Sequence, residues 1–176
     1  MNAAAVDKPS LDTVWHWLAE VPDPEIPVIS ITDLGIVRDV RWQDEQLVVT
    51  VTPTYSGCPA TEVIAASIRV AMAEHGIADA KMETRLSPAW TTDWLTPEAK
   101  AKLRDYGIAP PVGLAAGEQR IDISRLTRRA PPAPVVACPR CTSTHTEMLS
   151  QFGSTPCKSL YRCKACREPF DYFKCH

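Results

Sequence analysis

The segment "GIVRDVRWQDEQLVVTVTPT", residues 35–54, contains two runs of alternating side chains on either side of a short polar step. In the first, Ile36, Val40 and Trp42 alternate with Val37, Asp39 and Arg41. In the second, Leu47, Val49 and Val51 alternate with Val48, Thr50 and Thr52. A period of two is the mark of a strand, and the step at Gln43 to Gln46 predicts a hairpin.

Upstream, "SLDTVWHWLAEV", residues 10–21, places Leu11, Val14, Trp15 and Leu18 at helical spacing, with Ser10 as the cap. This helix must stop before "PDPEIP", residues 22–27, because its three prolines disfavour helix in the residues before them. Downstream, "ATEVIAASIRVAMAEHG", residues 60–76, puts Ala60, Val63, Ile64, Ile68, Ala71 and Met72 on one stripe, with Gly76 as the stop. "AKMETRL", residues 80–86, offers a third strand. The order helix-strand-strand-helix-strand predicts an α/β fold, a small two-layer sandwich with helices covering a sheet.

Beyond residue 86, "TPEAKAKLRDYG", residues 96–107, predicts a further helix with Thr96 as cap, Pro97 at the first position, and Ala99, Leu103 and Tyr106 on its apolar face. The proline-rich run that follows divides the chain into an α/β domain over residues 1–112, a connector over 113–134 and a cysteine-rich module over 135–176. Arg125, Arg128 and Arg129 give the connector a local basic run.

Of seven cysteines, six follow residue 137. Cys138 and Cys141 form one CxxC unit, and Cys163 and Cys166 form another after 21 intervening residues. Two such knuckles can converge on one tetrahedral ion, so these four cysteines are the metal-ligand candidates of a zinc-ribbon-like four-cysteine module. Four thiolates also suit iron or an iron-sulfur cluster, and Cys157, Cys175, His145 and His176 are candidate additional ligands. Zinc is the expected cofactor, with a cluster as the alternative.

The formal charge of -2 carries no broad basic signal. The tail, residues 135–176, has 6 Lys and Arg against 3 Asp and Glu, and ligating thiolates would cancel most of that excess. This argues against a nucleic-acid footprint. Tyr161, Phe170, Tyr172 and Phe173 are expected to pack the module rather than stack on bases. No apolar run is long enough to span a membrane, and "MNAAAVDKPSLD" lacks the features of a secretory signal. A cytoplasmic protein without a disulfide framework is the expectation.

The seventh cysteine, Cys58, stands in "YSGCPATEV", residues 55–63, between the second strand and the second helix. At a helix start, unpaired N–H groups and the dipole favour a thiolate. The alternative is a small, inert buried residue. His75 lies at the far end of the same helix, which argues against a Cys-His nucleophile pair. Asp23, Glu25 and Asp33 surround "PDPEIPVISITDLG"; their spacing fixes no catalytic geometry and favours turn acceptors.

Four stretches carry a family resemblance: "DPEIPVISITDLGIVRDV" (23–40), "VTPTYSGCPATEV" (51–63), "SPAWTTDWLTPEAKAKLRDYGIAPP" (87–111), and "CPRC" (138–141) with "FGSTPCKSLYRCKACREPFDYFKCH" (152–176). Together they resemble the small D-type accessory proteins of bacterial phenylacetate degradation, encoded with the multicomponent phenylacetyl-CoA epoxidase. The first region is similar to the wider family of small iron-sulfur assembly factors. The resemblance implies a non-catalytic maturation factor that handles iron or a cluster through Cys58, assisted by Asp23 and Glu25. The implied partners are the oxygenase or reductase components of the epoxidase. A structural or regulatory subunit and an iron-sulfur electron carrier are the competing readings, and a homodimer is left open.

Overall fold

The computed structural model describes residues 8–55, 57–112 and 134–174. The chain divides into two compact units between Trp90 and Thr91.

In the first unit, helix α1 spans Leu11–Ala19 and is capped by Ser10, whose hydroxyl accepts the Thr13 N–H at 3.1 Å. Strands β1 (Val37–Gln43) and β2 (Gln46–Val51) form the hairpin, with Gln43 opposite Gln46 and Asp44 at φ 54° in the turn. Two-residue turns of this hand match the twist of the flanking strands. Helix α2 (Ala60–Glu74) then carries the chain to β3 (Lys81–Thr84), which pairs parallel to β2, so the sheet order is β1-β2-β3. Gly76 at φ 84° ends α2, and the Ile77 N–H turns back to the Met72 carbonyl at 2.9 Å. A residue in the left-handed region is the usual way to satisfy the last carbonyls of a helix.

The core of this unit contains Val14 and Leu18 of α1, Ile64, Ile68 and Met72 of α2, and Leu47 and Val49 of the central strand. Each large aliphatic side chain removed from water contributes roughly 1.5–3 kcal/mol. β2 is buried from Leu47 through Val51 because it is the middle strand. Arg41 reaches across it, donating to Thr50 Oγ1 at 3.1 Å, Asp39 at 2.8 Å and Glu83 at 2.6 Å. Two helix faces differ from expectation. Leu11 is 38% exposed, and Val63, assigned to the inner stripe of α2, is 51% exposed. Ala65 takes an inward position instead.

The second unit begins with a short 3-10 turn at Thr92–Trp94 and helix α3 (Pro97–Tyr106). Thr96 Oγ1 accepts the Ala99 N–H at 3.0 Å, and Gly107 ends the helix at φ 93°. Ala99 and Leu103 are buried, whereas Tyr106 is exposed. Strand β4 (Ile108–Ala109) follows directly and pairs parallel to β7 (Pro169–Phe173). With β5 (Thr146–Ser150) and β6 (Lys158–Cys163), the sheet order is β4-β7-β6-β5. Its core joins Ala109, Val136, Tyr161, Phe170 and Tyr172 with Cys138 and Cys163, and Val112 packs against it. The first domain was expected to run to residue 112. Residues 91–112 instead belong with the cysteine-rich sheet, because β4 supplies one of its edges. Tyr161, Phe170, Tyr172 and Phe173 are all buried, so none offers a stacking face. Among the described residues, no helix is long and apolar enough to cross a membrane.

Candidate metal centre and isolated thiol

The four-cysteine centre is built from two turns of the same design. In the first, the Cys138 N–H donates to the Ser143 carbonyl at 2.9 Å, and Thr142 sits at φ 61°. In the second, the Cys163 N–H donates to the Glu168 carbonyl at 3.0 Å, and Arg167 sits at φ 66°. In each case the residue after the second cysteine takes the left-handed conformation, which folds the chain back and aims both sulfurs to one side.

The four sulfurs converge. Cys138 and Cys166 Sγ are 3.8 Å apart, Cys141 and Cys163 Sγ are 3.5 Å apart, and all four lie within 4.8 Å of one another. A disulfide would need about 2.05 Å. A tetrahedron with metal-sulfur bonds of about 2.3 Å has sulfur edges of about 3.8 Å, so the four side chains fit a zinc-sized ion. Cys138 and Cys163 are buried, while Cys141 and Cys166 are exposed.

The donor chemistry also fits. The backbone N–H of Cys166 and then that of Ala165 hydrogen-bond the Cys163 sulfur; with the neighbouring thiols they outweigh burial and lower its pKa to about 6. The Glu168 N–H favours the Cys166 thiolate, but local desolvation of the sulfur and the three neighbouring sulfurs push that thiol up to about 12. Four thiolates this close repel, and a cation at their centre removes the repulsion. Sulfur-rich sets of this kind select zinc or iron.

Two of the additional ligand candidates, His145 and Cys157, stand apart from this group. His145 is exposed, and its carbonyl accepts the Lys164 N–H at 2.8 Å. Cys157 is buried at the entry to β6, with its sulfur 3.0 Å from Thr155 Oγ1. Neither belongs to the convergent cluster. Cys175 and His176 lie outside the described residues, as do Ser56 and the arginines of the connector.

Cys58 is half-buried in the first unit, one residue outside α2, whose cap position is Pro59. Its N–H donates to the Tyr55 carbonyl at 3.1 Å, and its own carbonyl accepts Thr61 Oγ1 at 2.9 Å. Pro59 has no side-chain acceptor, so no side chain caps α2. Asp23 is buried and acts as a turn acceptor: one carboxylate oxygen takes the N–H groups of Glu25 at 2.9 Å and Ile26 at 2.8 Å. Glu25 is half-buried on the same loop, and Asp33 accepts the Ser30 N–H at 3.2 Å. Among the described residues, Cys58, Asp23 and Glu25 do not form a second group of ligand atoms within reach of one ion. His75 is stacked on Trp17 and His16 lies 3.7 Å from Glu20, so both histidines are engaged elsewhere. The Trp17–His75 pair was missed in the sequence because Trp17 falls off the apolar spacing of α1.

Two family models match along this division. A family model described as an iron-sulfur cluster assembly protein matches residues 11–81, and one described as the PaaD zinc beta ribbon domain matches residues 124–174. A protein of Porphyromonas gingivalis (strain ATCC BAA-308 / W83) named "Fe-S protein maturation auxiliary factor" is 34% identical over 94 residues, covering 52% of this chain and 89% of that one. A solved domain of unknown function, DUF59, from Bacillus anthracis is 25% identical with a TM-score of 0.49, covering 52% of this chain and 89% of that one. An Escherichia coli (strain K12) protein, named as the D-type subunit of a "Putative 1,2-phenylacetyl-CoA epoxidase", is 51% identical over 172 residues, which is 98% of this chain and 97% of that one. Identity at that level from end to end, through both the assembly-type sandwich and the ribbon, means that this chain belongs to the PaaD family, the D-type subunits of phenylacetyl-CoA epoxidase.

Proposed function

We propose that the protein is an accessory factor that matures the multicomponent phenylacetyl-CoA epoxidase, taking iron or an iron-sulfur cluster as cargo at Cys58 for the oxygenase or reductase component. The end-to-end identity with the Escherichia coli epoxidase protein carries this reading. The assembly-protein match over residues 11–81, which contains Cys58, and the name of the Porphyromonas gingivalis relative support the iron-sulfur part.

The two cysteine sites take different roles. The ribbon sulfurs of Cys138, Cys141, Cys163 and Cys166 form a closed set, suited to a structural ion that cross-links the two knuckles. Bound there, zinc supplies folding energy and no open position for a reactant. Cys58 is a single half-buried thiol, able to offer one bond to a cargo and give it up again. Asp23 holds the turn that carries Glu25, and these two carboxylates assist the delivery step without forming a preformed ligand set with Cys58. No residue is assigned a catalytic role.

The test is to isolate both epoxidase metal components from cells carrying Cys58→Ala. A several-fold loss of iron or acid-labile sulfide in one of them is expected; full metal content in both overturns the transfer role. Anaerobic purification of the protein itself should yield zinc without sulfide in wild type and in Cys58→Ala alike. Because the Escherichia coli relative is named a subunit, a stoichiometric structural role is the second reading. It predicts that the protein co-purifies with the epoxidase at a fixed ratio, whereas cargo delivery predicts transient contact.

A further inference from the structure

Helix α2 is apolar on two sides. Its inner stripe, Ala60, Ile64, Ile68 and Met72, is buried, yet Val63 and Val70, two turns apart on another side, are 51% and 58% exposed. A surface helix ordinarily turns a polar face outward, and a contiguous exposed apolar stripe marks an interaction site.

Val63 and Val70 line a groove of about 450 Å³ whose other wall comes from Trp17 and Val21, at and just beyond the end of α1. The stacked rings of Trp17 and His75 then form a wall shared with a second cleft of about 520 Å³ that reaches Trp42. From Val63 to His75 the helix rises roughly 18 Å, the length of about three helical turns. Such a trough is too long for a compact small molecule and fits a helical segment.

Charge says which kind of segment. The lining of the two clefts includes the exposed carboxylates Glu20, Glu74, Glu45 and Asp79, against one lysine, Lys8, which is already paired to Glu45 at 2.9 Å. Glu20 and Glu74 also sit at the C-terminal ends of α1 and α2, where the helix dipole disfavours negative charge, and the last turn of α2 has no basic residue to offset it. Glu20 has His16 at 3.7 Å and Glu45 has Lys8, whereas among the described residues no ion pair engages Glu74 or Asp79, and a cationic partner would supply one.

We infer that the α1–α2 groove docks a basic amphipathic helix of a partner protein, with an apolar stripe at i, i+3 or i+4 and i+7 and flanking Lys or Arg. The apolar stripe seats on Val63, Val70 and Trp17, and the basic flanks meet Glu20 and Glu74. The inference does not depend on metal handling at Cys58.

The experiment uses the full-length protein and a synthetic amphipathic Leu/Lys peptide of about sixteen residues, long enough for four turns. Its Leu/Glu counterpart and a non-amphipathic Leu/Lys isomer are the controls. The Leu/Lys helix should bind at least about tenfold more tightly than either control, with affinity falling as salt is raised. Val63→Asp and Val70→Asp should each weaken binding about tenfold while leaving the far-ultraviolet spectrum unchanged, since both side chains are half-exposed. Glu20→Gln with Glu74→Gln should reduce the salt dependence and the preference over Leu/Glu. Equal binding of the peptides, or binding indifferent to both valine variants, overturns the inference. So does a dimer of the free protein that Val70→Asp dissociates, which would assign the groove to a second copy of the chain.

Discussion

The rings of Trp17 and His75 lie face to face, centroids 3.9 Å apart and planes within 4°, tying the end of α2 to α1. Aromatic pairs contribute about 0.5–1.5 kcal/mol beyond the area they bury. His75→Ala is expected to lower unfolding stability by about that amount, and His75→Phe to retain most of it. Urea unfolding of the three proteins side by side checks the ordering.

Removing the ribbon's metal should unfold one unit and spare the other. Structural zinc sites bind with free energies on the order of 10 kcal/mol, and the small β4-β7-β6-β5 core has little else to replace that. A strong chelator at neutral pH should therefore abolish amide protection in β5–β7 while protection in β1–β3 and α2 persists. Cys163→Ser should behave like the chelated protein. Hydrogen exchange followed by mass spectrometry resolves the two units.

Acid should weaken the first unit through Glu83. Hydrogen bonds from Arg41, then Lys81, hold the Glu83 carboxyl below the usual carboxylate range. A carboxyl with a depressed folded pKa contributes stability above its unfolded value, about pH 4.3, and that contribution is lost as the pH falls through the folded value. Glu83→Gln should be less stable than wild type near neutrality, and the gap should close below about pH 4. Denaturant midpoints at two pH values measure the closure; a gap that stays constant would contradict this account.

The cap of α3 provides a smaller, local test. Thr96 satisfies the Ala99 N–H, and Thr96→Ala should cost about 1 kcal/mol, with Thr96→Asp close to neutral. Thermal unfolding of the two variants checks this.

The hairpin at 37–51 was legible because alternation over two runs leaves one pairing register that sorts apolar from polar side chains. The four-cysteine centre was legible because two CxxC units have little use other than converging on an ion. Two features were not. β4 is two residues long, too short to show any period, and only its pairing with Asp171 and Tyr172 makes it a strand. Val63 fits the inner stripe of α2 by its spacing yet is exposed, because sequence spacing cannot tell an inner apolar stripe from an outer one. The turn-acceptor role of Asp23 was legible as well: an Asp on a proline-held loop is expected to take nearby backbone N–H groups, and its carboxylate takes two.

The placement of β4 also changes what the proline-rich stretch is. Ile108 and Ala109 are stitched to β7, and the chain resumes its described course at residue 134, within the same unit. The described residues on either side of this stretch, up to 112 and from 134, therefore belong to one folding unit. A truncation made there would sever a strand from its own sheet, so the natural place to separate the sandwich from the ribbon is ahead of α3, at Trp90–Thr91.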